Sequence, residues 1–64
     1  MNKLEHYRTK EGFTQAELAE KSGIDQAKIS RVEKGIVDLT GQQWRVMAEI
    51  FGCTVDELLT HRNL

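Results

Sequence analysis

Six side chains within nine residues, Gln26, Ala27, Lys28, Ser30, Arg31 and Lys34, carry the donors, acceptors and methyl group that can engage a nucleic-acid groove. A Gln amide forms a bidentate pair with adenine, an Arg guanidinium with guanine, and an Ala methyl touches the thymine methyl. Lys28 and Ser30 lie alongside, and Lys28, Arg31 and Lys34 share the outer side of the segment. Bond-making chemistry is not expected. Carboxylates such as Glu17 and Glu20 fall on solvated helix faces, and no base has an obvious nucleophile, so no catalytic residue is assigned.

The elements that must hold these side chains are legible in the 22 residues from Thr14 to Gly35, TQAELAEKSGIDQAKISRVEKG. Two helices joined by a short turn cross steeply and need a small side chain where they come close, which Ala19 supplies. Gly23 falls where the backbone should turn left-handed, a conformation costing a residue with a Cβ roughly 1 kcal/mol or more. Ile24 plugs the turn, while Leu18, Ile29 and Val32 give the two helices apolar inner faces at helical spacing.

Capping signals extend this pattern to five predicted helices, over about 3–11, 15–22, 26–34, 41–51 and 55–61, stopped by Gly12, Gly23, Gly35 and Gly52. Asn2 with Glu5, Thr14 with Glu17, Thr40 with Gln43 and Thr54 with Glu57 each have capping-box spacing, and Asp25 caps the third helix alone. Periodicity assigns Leu4, Tyr7, Phe13, Leu18, Ala19, Ile24, Ile29, Val32, Trp44, Met47, Ala48, Phe51, Val55 and Leu58 to the core, with Leu59 at its margin.

The chain has 64 residues, enough for a single domain over 1–64, and a chain of this size buries only about 60% of its unfolded surface. Cys53 has no partner for an internal disulfide and reads as a small buried hydrophobe. With His6 and His61 near opposite ends it makes no zinc spacing, so no metal or cofactor is expected. The N-terminus lacks the apolar stretch of a signal peptide, and no segment approaches the roughly 20 apolar residues of a membrane span, so a cytoplasmic location is expected. Net charge is −1, against the basic balance common in nucleic-acid binders. Residues 1–34 carry seven Lys or Arg against six acids and residues 35–64 two against four, so the half with the exposed helix is the less acidic one.

The segments GFTQAELAEKSGI, ISRVEKG and AEIFGCTVDELL resemble the phage Cro and repressor family of helix-turn-helix regulators, the Xre family, without a gap from about Leu4 to Leu59. The resemblance implies an all-α, five-helix repressor-like fold whose third helix reads DNA. By position, Gln15 matches the residue that binds a phosphate while bracing the start of the recognition helix. Gln26, Ala27 and Arg31 match the base-contacting positions, and Arg8 and Glu33 match a pair that bridges helix 1 to helix 3.

The loop GIVDLTG departs from the family, which often has polar and basic residues there and a proline before helix 4. Two expectations follow. Ile36, Val37 and Leu39, with the chain end around Leu59 to Leu64, form a dimer interface that sets two recognition helices about 34 Å apart on duplex DNA. In the other, Leu39 folds inward in place of the side chain that Gly41 lacks. The expected function is operator binding as a homodimeric transcription regulator. The alternative is an antitoxin or protein-interaction module, whose partner covers the IVDL loop.

Overall fold

Each helix begins where a short polar side chain can take up an orphaned backbone N–H, and α1 to α4 end where the chain must reverse. The computed structural model describes residues 2–59. It contains α1 (Leu4–Lys10), α2 (Gln15–Ser22), α3 (Gln26–Glu33), α4 (Gly41–Phe51) and α5 (Val55–Leu59), with no strand among the described residues. Full capping boxes open α2 at Thr14 with Glu17 and α4 at Thr40 with Gln43. Thr54 and Glu57 exchange the same reciprocal bonds before α5. Asp25 accepts the Ala27 N–H at 3.1 Å to start α3.

The stop between α2 and α3 is conformational. Gly23 sits at φ 74°, in the left-handed region, and no atom lies within 4 Å of where a Cβ would stand. Torsion therefore demands glycine here, rather than lack of room. Its N–H closes onto the Ala19 carbonyl at 2.9 Å, and Ile24 then drops into the core at 6% exposure.

Leu4, Leu18, Ile29, Val32, Met47 and Leu58 have no exposed surface, and Ile24, Leu39, Trp44, Ala48 and Phe51 complete the core. Tyr7, Phe13, Ala19 and Val55, expected in the core, are half-buried against it. Leu59 is 38% exposed. Cys53 also packs at the core margin, where burial, then the Glu57 carboxylate, push its thiol above the usual range.

Three expectations are corrected. Asn2 and Glu5 form no capping box: the N-cap of α1 is Lys3, without a side-chain bond. Asn2 accepts the Leu4 N–H at 2.9 Å and donates Nδ2 to the Val32 carbonyl at 3.0 Å, a second bond to an oxygen at the end of α3 that also takes the Gly35 N–H. The first helix is one residue shorter than expected at each end, with Lys3 and Glu11 as its caps, and the third ends one residue early, with Lys34 as its C-cap. The predicted last residues of α5, 60 and 61, lie outside the described residues.

The third correction concerns the loop. Leu39 is 6% exposed and cannot line a dimer surface. Leu39 joins the core just ahead of α4, but not in place of a Gly41 side chain, since no atom lies within 4 Å of where a Gly41 Cβ would stand. One carboxylate oxygen of Asp38 holds the turn, accepting the Leu39 N–H at 2.8 Å and the Trp44 indole Nε1–H at 3.0 Å. Asp38→Ala leaves the indole N–H of a 3% exposed Trp44 unpaired. It should cost about 1–2 kcal/mol in urea unfolding, whereas Asp38→Asn, which keeps an acceptor, should lose less than half of that. Equal stability of Asp38→Ala and the parent would remove the turn's supposed anchor.

Candidate nucleic-acid interface

The site is built on α3. Ile29, Val32 and Glu33 face inward and are buried, while Gln26, Ala27, Arg31 and Lys34 are exposed and Lys28 and Ser30 half-buried. The side chains of Gln26, Arg31 and Lys34 make no hydrogen bond or ion pair to other described residues, so their donors stand open to a ligand. The only acids in this stretch, Asp25 and Glu33, are engaged at the N-cap and on the inner face.

The inner face is clamped at its C-terminal end. Glu33 is 7% exposed, and its two carboxylate oxygens accept Arg8 Nε at 2.6 Å and Arg8 Nη2 at 3.2 Å. Gln15 donates its Nε2–H to the same carboxylate at 2.9 Å, and Arg8 Nη1 donates to the Phe13 carbonyl at 2.8 Å. Four hydrogen bonds thus join α1, the turn before α2, the first residue of α2 and the last of α3. The bond to Glu33 raises the Arg8 guanidinium above its ordinary pKa, outweighing the opposite effect of burial. Every buried side-chain polar atom among the described residues has a partner.

A family model described as helix-turn-helix matches residues 4–58. The chain belongs to the Cro and repressor type of the helix-turn-helix family. An uncharacterized HTH-type transcriptional regulator of Methanocaldococcus jannaschii is 31% identical to it over 62 residues, which cover 97% of this chain and 94% of that protein. Within the helix-turn-helix unit, α2 is the supporting helix and α3 the exposed one.

The structure brings Arg8 and Glu33 into contact and places Gln26, Ala27, Arg31 and Lys34 on the open face. Gln15 braces α3, but at its end rather than its start. The inward-facing acid is Glu33, and the turn after α1 lays the first residue of α2 over it. That bond occupies one N–H of the Gln15 amide, leaving the other and the oxygen for further contacts.

Lys28 is tied down: its ammonium donates to Gln43 Oε1 on α4 at 3.2 Å. Nothing in the sequence pattern pointed to Gln43 except its capping spacing. Leu64, expected at a dimer interface, lies outside the described residues, and Ile36 and Val37 are 66% and 39% exposed. Among the described residues no three or more His, Cys, Asp or Glu are grouped to hold a metal, and no helix is long and apolar enough to cross a membrane.

Glu33→Ala should lower unfolding free energy by about 2–4 kcal/mol, because it strands a largely buried guanidinium and an amide N–H together. Glu33→Gln, which keeps the shape and one acceptor, should fall between the two. Thermal melting checks this, and a Glu33→Ala protein melting with the parent would show that the clamp contributes nothing.

Proposed function

We propose that this protein is a sequence-specific DNA-binding regulator of transcription that lays α3 in the major groove of duplex DNA. The observation that carries the reading is an outward side of α3 and its C-cap on which the Gln26, Arg31 and Lys34 side chains are unused by the fold, on a helix whose inner face is fixed by a buried ion pair. A helix fits the major groove, and recognition helices of this motif contact base edges with their N-terminal residues. Gln26 and Ala27 hold those positions. Arg31, one turn further on, pairs with guanine, and Gln15 contributes to a phosphate through its remaining amide N–H at the start of α2. The mechanism is occupancy of a promoter site, in a cytoplasmic protein folded as one domain. Membership of the family and the regulator name of the archaeal relative both support this reading.

A second copy completes the binding unit. One chain presents three outward cations on α3, Lys28, Arg31 and Lys34, few for tight binding. A dimer doubles them. Ile36, Val37 and Leu59 leave apolar surface exposed around a shallow groove of about 440 Å³ floored by Trp44, beside α3 rather than over its reading face. Exposed apolar clusters are costly unless covered. The same patch also suits a protein partner, as an antitoxin or bridging factor would require.

Selection on random duplex DNA should enrich one sequence class, and Arg31→Ala should lose roughly 1–3 kcal/mol on it while flattening preference at one base position. The log–log salt slope should be shallow, about −3 to −5 for a dimer. No enriched sequence, together with unaltered binding by Arg31→Ala, would hand the site to the protein-interaction reading. Sedimentation at tens of micromolar should show a dimer weakened by Val37→Glu, and a strict monomer on and off DNA would exclude the two-copy unit.

A further inference from the structure

Lys28 differs from the other outward cations of α3 in having its ammonium held by the protein. Its Nζ donates to Gln43 Oε1 at 3.2 Å, whereas Arg31 and Lys34 make no side-chain bond among the described residues. The Gln43 oxygen is itself fixed, because it also accepts the Thr40 N–H at 3.0 Å while the Gln43 N–H donates to Thr40 Oγ1 at 3.1 Å. A capping box at one helix start is therefore used twice, to begin α4 and to hold a cation of α3. An ammonium has three donors, so two remain after the bond to Gln43.

Position on the helix says what those donors meet. Successive residues turn by roughly 100° about the axis, so Lys28 lies on the flank of α3, toward α4, while Ala27 and Arg31 lie near the crest. A helix with its side chains is about as wide as the major groove, about 10–12 Å, so beyond its first residue, Gln26, which meets the bases end-on, its crest faces base edges and its flanks face the phosphate walls. A lysine free in solution gives up rotamer entropy when it is fixed on a ligand. Gln43 removes part of that loss before DNA arrives.

We propose that Gln43 is a positioning residue that fixes Lys28 on the α4 flank of the recognition helix, committing its ammonium to a backbone phosphate and not to a base. The inference rests on the DNA-binding reading above. Lys28 then contributes affinity without sequence preference, and Gln43 touches DNA only through it.

The test is a double-mutant cycle on the full chain, with the preferred duplex and a scrambled one, across a salt series. Lys28→Gln should weaken both duplexes by the same factor and reduce the salt slope by about 0.9 per site. Gln43→Ala should weaken both by roughly three- to tenfold in the parent and by nothing further in the Lys28→Gln background. Gln43→Glu keeps the acceptor for the Thr40 N–H, so it folds even where Gln43→Ala melts early. It pairs with Lys28 and should lose the same slope as Lys28→Gln, with no greater loss in the double variant.

Parent-like binding by a folded Gln43→Ala protein, a Gln43 effect that persists without Lys28, or a Lys28→Gln loss confined to one base position would each overturn the proposal. Parent slope in Gln43→Glu would do the same. If the parent binds neither duplex at low salt, the DNA-binding reading fails first and this inference falls with it. Binding by the parent with additive Lys28 and Gln43 effects sinks the inference alone.

Discussion

Taking a carboxylate out of water costs several kcal/mol unless donors replace its hydration, and Glu33 obtains three N–H donors from two other helices. That requirement orders the upper half of the molecule. Arg8 must lie within a hydrogen bond of the end of α3, which fixes α1, and its remaining Nη1 takes the Phe13 carbonyl, which fixes the turn into α2. Gln15 then closes the third side. An apolar residue at position 33 would pack as well, but would not specify the rotation of α3 about its axis, and the rotation decides which side chains face out. The role of this pair is therefore orientation as much as stability.

The same economy governs charge. A net charge of −1 is a poor start for attracting DNA, yet the acids nearest the exposed face are engaged by the fold's own hydrogen bonds. Glu17 and Asp25 sit at helix starts, where the backbone N–H groups and the dipole offset part of their field, and Glu33 is neutralised by Arg8. The cations of α3 face solvent beside them. What the chain lacks is surplus positive charge in the loop after α3, where Ile36, Val37 and Asp38 stand.

What was legible in the sequence was what is decided locally. Thr14 with Glu17, Thr40 with Gln43 and Thr54 with Glu57 interact three residues apart, and each formed as its spacing predicts. Gly23 was legible because a left-handed turn has few alternatives. The misses share the opposite property. Asn2 had two possible partners for its amide, and only the approach of α3 to the N-terminus decided for the Val32 carbonyl over a cap with Glu5. The bond from Lys28 to Gln43 spans two helices whose crossing no periodicity describes. Leu39 carried the same apolar signal whether it pointed into the core or at a partner, and only the packed core in which it is buried settled it.

The inward turn of Leu39 also changes what the remaining loop can do. With it buried, the exposed apolar surface reduces to Ile36, Val37 and Leu59, a small patch for any association. Yet the patch is tied by hydrogen bonds to α3. The Ile36 N–H closes onto the Arg31 carbonyl at 2.9 Å and the Gly35 N–H onto Val32 at 3.0 Å, a helix-ending pair that needs the positive φ of Gly35. From the other side, Asp38 pins the loop to Trp44 of α4. A molecule seated on Ile36 and Val37 is thereby held in a fixed relation to Arg31, five residues and one carbonyl away. Small area limits the strength of such a contact, but the short connections bonded at Gly35, Ile36 and Asp38 preserve its geometry, which is what the proposed two-copy unit would require of it.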